Sequence, residues 1–81
     1  MTVCVLLFAG LRDLAGGETV TVELTPHATI ADLRQMIAIN YPELASLAAR
    51  SQIAVNYEFA ENERIIQKTD ELALIPPVSG G

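Results

Sequence analysis

An α+β fold, a mixed β-sheet crossed on one face by a single main helix, is predicted by three features of this sequence. Apolar and polar residues alternate at strand period from Thr19 to Leu24. Apolar residues recur at helical period from Ile30 to Ile37. Around these segments, short β-rich runs are separated by Gly, Pro, Asn and Asp. The 81 residues allow one domain, and 51% apolar against 19% charged residues excludes a disordered chain. A chain of this size buries about 60–65% of its unfolded surface, which leaves little room for a substrate cleft beside a core. A complete enzyme is therefore not expected.

Taken in order, Val3 to Phe8 is continuously apolar and reads as a strand covered on both faces. Gly10 to Gly17 reads as a turn, and Thr19–Leu24 as the second strand of a hairpin, with Val20, Val22 and Leu24 inward. Thr25-Pro26-His27-Ala28 breaks the strand. Thr29 is then a good N-cap, with Asp32 three residues on in the place of a capping-box acid. Ile30, Leu33, Met36 and Ile37 form the apolar stripe, and Asn40-Tyr41-Pro42 ends the helix, since a residue before proline disfavours the α region. Pro42 to about Ala49 opens a shorter helical segment.

Gln52–Phe59 reads as a third strand with Ile53, Val55 and Tyr57 on one face. Arg64-Ile65-Ile66 reads as a short fourth strand and Leu72–Ile75 as the last, with turns at Glu61–Glu63 and Lys68–Glu71. Pro76-Pro77 stops it, because proline cannot donate to a sheet ladder. The order β-β-α-β-β-β is that of the β-grasp, or ubiquitin-like, fold. The expected division is a β-grasp domain over residues 1–75 and a flexible tail over 76–81.

The single Cys4 has no disulfide or zinc-ligand companion and is expected to be packed inertly within its strand. His27 reads as a solvated loop residue, and Gly10, Gly16 and Gly17 match no phosphate-loop spacing. No metal site or catalytic centre emerges. Ten acidic residues against five basic ones, a net charge of −5, argue against nucleic acid. The same charge either steers the protein toward a basic partner or simply keeps it in solution. The apolar start lacks a basic leader, and no run reaches the roughly 20 residues of a membrane span. A cytoplasmic protein is expected.

The ending Gly80-Gly81 is the most informative feature. Glycines there serve no turn or cap, and without a Cβ they pass through a narrow channel. A terminal glycine carboxylate is also the least hindered acyl group a ribosomal protein can offer. Six extended residues from Pro76 reach roughly 20 Å, enough to enter a partner's active site. A softer signal is the apolar excess of the sheet. With Val3, Val5 and Leu7 toward the helix, Cys4, Leu6 and Phe8 face the other side, and Leu72 and Leu74 oppose Ala73 and Ile75. That second face is either a docking patch or covered by a loop or the short helical segment.

The ending Pro76-Pro77-Val78-Ser79-Gly80-Gly81 resembles that of the molybdopterin synthase small-subunit family of ubiquitin-like sulfur carriers. The resemblance extends through Leu7-Phe8-Ala9, Leu11-Arg12-Asp13-Leu14-Ala15-Gly16, Thr29-Ile30-Ala31-Asp32-Leu33, Ala54-Val55-Asn56 and Asp70-Glu71-Leu72-Ala73-Leu74. Two departures are Lys68-Thr69 in place of an Asp-Gly turn, and Leu74-Ile75 where the family often has aromatics.

The resemblance implies a carrier without catalytic side chains or bound cofactor. An activating adenylyltransferase, resembling those that activate ubiquitin, uses ATP and Mg²⁺ to adenylate the Gly81 carboxylate. A sulfur donor such as a cysteine desulfurase then supplies the sulfur of a thiocarboxylate. The carrier docks on the large subunit of molybdopterin synthase, in a heterotetramer of two small and two large subunits. There Gly80-Gly81 delivers sulfur to cyclic pyranopterin monophosphate. Leu6, Phe8, Leu74 and Ile75 are the expected docking residues, with Pro76, Pro77, Val78 and Ser79 leading the tail inward. Other readings are a thiamine-biosynthesis sulfur carrier, a ubiquitin-like protein modifier conjugated through Gly81, and a plain interaction module.

Overall fold

The computed structural model describes residues 1–77; Val78, Ser79, Gly80 and Gly81 lie outside the described residues. Strands β1 (Thr2–Leu7), β2 (Thr19–Glu23), β3 (Gln52–Val55), β4 (Glu58–Phe59) and β5 (Leu72–Ile75) form one sheet, ordered β2-β1-β5-β3-β4. β1 runs antiparallel to β2 and parallel to β5, whereas β3 is antiparallel to both β5 and β4. A parallel pair requires a crossover, which the intervening helices supply. This is the β-grasp arrangement.

Helix α2 (Ile30–Asn40) buries Ile30, Leu33 and Ile37, which cluster with Val5, Leu7, Val22, Ile53 and Leu74 from the sheet. Met36 packs at the margin of this core. The capping box forms as the sequence predicts: Asp32 N donates to Thr29 Oγ1 at 3.3 Å, and Thr29 N to Asp32 Oδ2 at 2.9 Å. The helix ends before Tyr41-Pro42. A 3-10 turn (Pro42–Leu44) and helix α3 (Ala45–Ala49) follow and bury Leu44 and Ala48. Arg34 reaches from α2 to the carbonyls of Ala48 (3.0 Å) and Ser51 (2.7 Å), satisfying one acceptor in the last turn of α3 and one just beyond it.

Four sequence expectations are corrected. β1 is not covered on both faces: Val3, Val5 and Leu7 are buried, but Cys4, Leu6 and Phe8 are exposed, because the helices lie on one side of the sheet only. The Gly10–Gly17 segment holds a short helix, α1 (Gly10–Ala15), anchored by fully buried Leu11. Gly16 closes it at φ 73°, in the left-handed conformation that only glycine adopts cheaply.

The Gln52–Phe59 run is a tight hairpin, not one strand. Val55 pairs with Glu58 across the two residues Asn56 (φ 53°) and Tyr57 (φ 72°), a type I′ turn that matches the twist of its strands. Tyr57 therefore leaves the face of Ile53 and Val55. Finally, Arg64–Ile66 contributes a single bridge, Thr29 to Ile65, rather than a strand. Its backbone bonds (Ile30 N to Arg64 O, 2.9 Å; Ile66 N to Ala28 O, 2.9 Å) tie the entrance of α2 to this segment, with Ile66 buried.

Candidate functional site

The strand register determines what the uncovered face looks like. Thr19 opposes Leu6, Leu6 lies beside Ala73, Ala73 opposes Ala54, and Ala54 opposes Phe59. Across one row of the sheet, two alanines are thus flanked by Leu6 on one side and Phe59 on the other. The small side chains make a floor and the large ones make walls. The resulting depression has a volume of about 740 Å³, and Cys4, Phe8, Tyr57 and Ile75 also line it. Leu6 and Phe8 are 42% and 41% exposed and Phe59 62%, a large apolar surface for so small a domain.

Of the docking residues expected from sequence, Leu6, Phe8 and Ile75 come together here. Leu74 does not: it is fully buried among the core residues, because alternation along β5 gives the open face to Ala73 and Ile75. That expectation is corrected. Pro76 and Pro77 follow β5 directly. With Phe8, Ile75, Leu47 and Gly10 they line a second depression of about 690 Å³. A Cβ at Gly10 would stand 3.3 Å from Leu47 Cδ2, so that side chain would have to give by a few tenths of an ångström. The remaining expected residues, Val78, Ser79, Gly80 and Gly81, lie outside the described residues.

The start of β5 is anchored by a polar cluster that the sequence reading missed. Asn56 Nδ2 donates to Asp70 Oδ1 at 3.0 Å, while Glu71 N donates to Asn56 Oδ1 at 2.9 Å and Asn56 N to Glu71 O at 2.8 Å. Asp70 Oδ2 accepts from Gln67 N at 2.7 Å, and Arg64 Nη2 stands 3.9 Å from Oδ1. The β3–β4 turn is thereby locked to the segment that launches β5. Beside it, the Glu71 carboxylate favours the protonated Tyr57 hydroxyl and repels its anion, which pushes the phenol pKa above its ordinary value. The sequence held one signal for this cluster: Asn is a residue that tolerates positive φ and bonds locally.

The apolar trough suits recognition of another surface. Among the described residues, no group of three His, Cys, Asp or Glu side chains could hold a metal ion. His27 is exposed at φ 67° in the turn before α2, and Cys4 lies on the open face of β1. No helix among these residues is long and apolar enough to cross a membrane.

The model of the ThiS family matches residues 5–81. The chain belongs to the ThiS family. This ThiS-family chain is 36% identical over 83 residues to the molybdopterin synthase sulfur carrier subunit of Chlamydomonas reinhardtii, covering 100% of both chains. It is 35% identical over 77 residues to the subunit of the same name from Arabidopsis thaliana, covering 95% of this chain and 80% of that one. Small archaeal modifier protein 1 of Haloferax volcanii is 36% identical, over 93% of this chain and 95% of that one. A crystal structure of this Haloferax protein superimposes with a TM-score of 0.87 at 32% identity, covering 100% of both chains. The ThiS-family chain thus shares its ubiquitin-like fold with proteins named for sulfur carriage and for protein modification.

Proposed function

We propose that this protein is the sulfur carrier subunit of a molybdopterin synthase, with the Gly81 carboxyl group as the sulfur-bearing atom set. The observation that carries this reading is the family match through residue 81, shared with full-length relatives that bear that name. An activating adenylyltransferase joins the Gly81 carboxylate to the α-phosphorus of ATP, with Mg²⁺, and releases pyrophosphate. The terminal sulfur of a persulfide, supplied through a donor such as a cysteine desulfurase, then attacks the acyl carbon, and a thiol reduces the resulting acyl disulfide, itself ending in a disulfide with the donor's sulfur. AMP leaves and a thiocarboxylate remains. Activation is needed because a bare carboxylate has no leaving group that sulfur could displace.

The carrier next docks on the large subunit through the open face around Leu6, Phe8 and Ile75, and Pro76 to Ser79 lead Gly80-Gly81 into that subunit's active site. Sulfur passes there to cyclic pyranopterin monophosphate, in the cytoplasm. The chain supplies the acyl terminus and the docking surface; its partners supply the catalytic side chains, ATP and metal. The apolar trough that ends where Pro76 begins supports this division of labour.

The likeness to small archaeal modifier protein 1 supports a second reading, in which a lysine amine rather than sulfur attacks the activated Gly81. One experiment separates the two. Intact mass is measured after incubation with ATP, Mg²⁺, the activating enzyme and a sulfur source, alongside a variant lacking Gly81. Exchange of one oxygen for sulfur is expected in the full chain and not in the variant. Isopeptide-linked products without that exchange would replace the carrier with the modifier.

A further inference from the structure

Tyr57 is held in a costly backbone conformation. It occupies the second central position of the type I′ turn at φ 72°, where glycine is preferred and an L side chain is disfavoured. Its ring is 89% exposed, so core packing does not account for it. It nevertheless stands on the wall of the apolar trough, in sequence two residues from Phe59 and beside Glu71.

The charged groups around it are not all free. Asp70 is committed: its side chain is 6% exposed, bonded to Asn56 and Gln67, and faces Arg64. Glu71 remains exposed on the trough lining, with Lys68 also on the rim, in a chain of net charge −5. An aromatic face beside a carboxylate at the edge of an apolar surface suits a cation, above all a guanidinium, which stacks on a ring and pairs with a carboxylate at once.

We propose that Tyr57 and Glu71 form a specificity element of the docking face, receiving an arginine of the partner protein whose neighbouring apolar residues fill the Leu6–Phe59 trough. This deepens the docking role proposed above and rests on it. The type I′ turn fixes the backbone from which the ring projects, and the Asn56–Asp70 cluster holds the Glu71 backbone in register with it. The partner chemistry is therefore an apolar ridge ending in a basic side chain.

The test is calorimetric titration with the purified large subunit of molybdopterin synthase from the same organism. Tyr57→Gly is expected to weaken binding about tenfold while raising the melting temperature, because it relieves the turn. A residue retained only for the turn would not separate stability from binding in this way. Glu71→Gln is expected to weaken binding about threefold to tenfold and to flatten its salt dependence, and Tyr57→Phe to retain most of the affinity. Wild-type affinity and salt dependence in both Tyr57→Gly and Glu71→Gln would overturn the proposal while leaving the carrier reading intact. If the wild-type chain binds no large subunit, arginine amide is titrated instead and the resonances of Tyr57 and Glu71 are followed. Shifts lost in Glu71→Gln would keep the arginine site although the docking reading has failed; no shifts would overturn the site as well. Self-association abolished by Tyr57→Gly would place a second copy on this face and likewise overturn it.

Discussion

Asn56 joins the turn, the strand launch and the site in one side chain. It tolerates φ 53°, and its amide bonds Asp70 with one end and the Glu71 backbone with the other. Asn56→Ala removes both side-chain bonds and leaves Asp70 with one partner fewer. It is expected to cost about 1–3 kcal/mol, read as a lower urea midpoint at unchanged slope. From sequence, Asn56 read as one more residue of a long strand. Its role was hidden because Asp70 and Glu71 reach it only across the fold, 14 and 15 positions away. Cys4 failed for a related reason. An apolar run says that a strand is apolar, but it does not say which of its faces will be covered.

At the scale of elements, α2 was read correctly because its signals are local. Thr29, Asp32 and the apolar stripe lie within three turns of one another, and each acts on a neighbour along the chain. Thr29→Ala is expected to lose about 1 kcal/mol, seen as an earlier denaturation midpoint, since Asp32 N then lacks its acceptor. α1 went unread because six residues are too short to show a helical period, and only Leu11 marks its buried side. The β3–β4 hairpin went unread because its turn carries Tyr57 where glycine is the usual signal.

For the whole molecule, a single layer of helices over a five-stranded sheet leaves one face of that sheet without cover. Leu74 and Leu6 sit on opposite faces, and their substitutions should therefore separate stability from docking. Leu74→Ala, in the core, is expected to lose about 2–5 kcal/mol in urea denaturation. Leu6→Thr keeps a strand-compatible side chain at a 42% exposed position. It is expected to change stability by less than about 1 kcal/mol while weakening binding of the large subunit, measured by titration. Equal losses of stability in the two variants would mean that the open face is structural rather than a docking surface.

The sequence by itself determined the α+β class, the main helix with its caps, the β1–β2 hairpin, the last strand and the Pro-Pro-Val-Ser-Gly-Gly ending. Each rests on interactions between residues a few positions apart or on a motif read in one piece. Only the tertiary structure decided the trough. Ala54, Ala73, Leu6 and Phe59 become neighbours through three separate strand pairings, and the residues that pair are up to 67 positions apart, as Leu6 and Ala73 are. The same pairings turned Leu74 inward, left Cys4 in the open and set Tyr57 beside Glu71. Periodicity along a strand is a local property, whereas register and cover are settled by which distant segments meet.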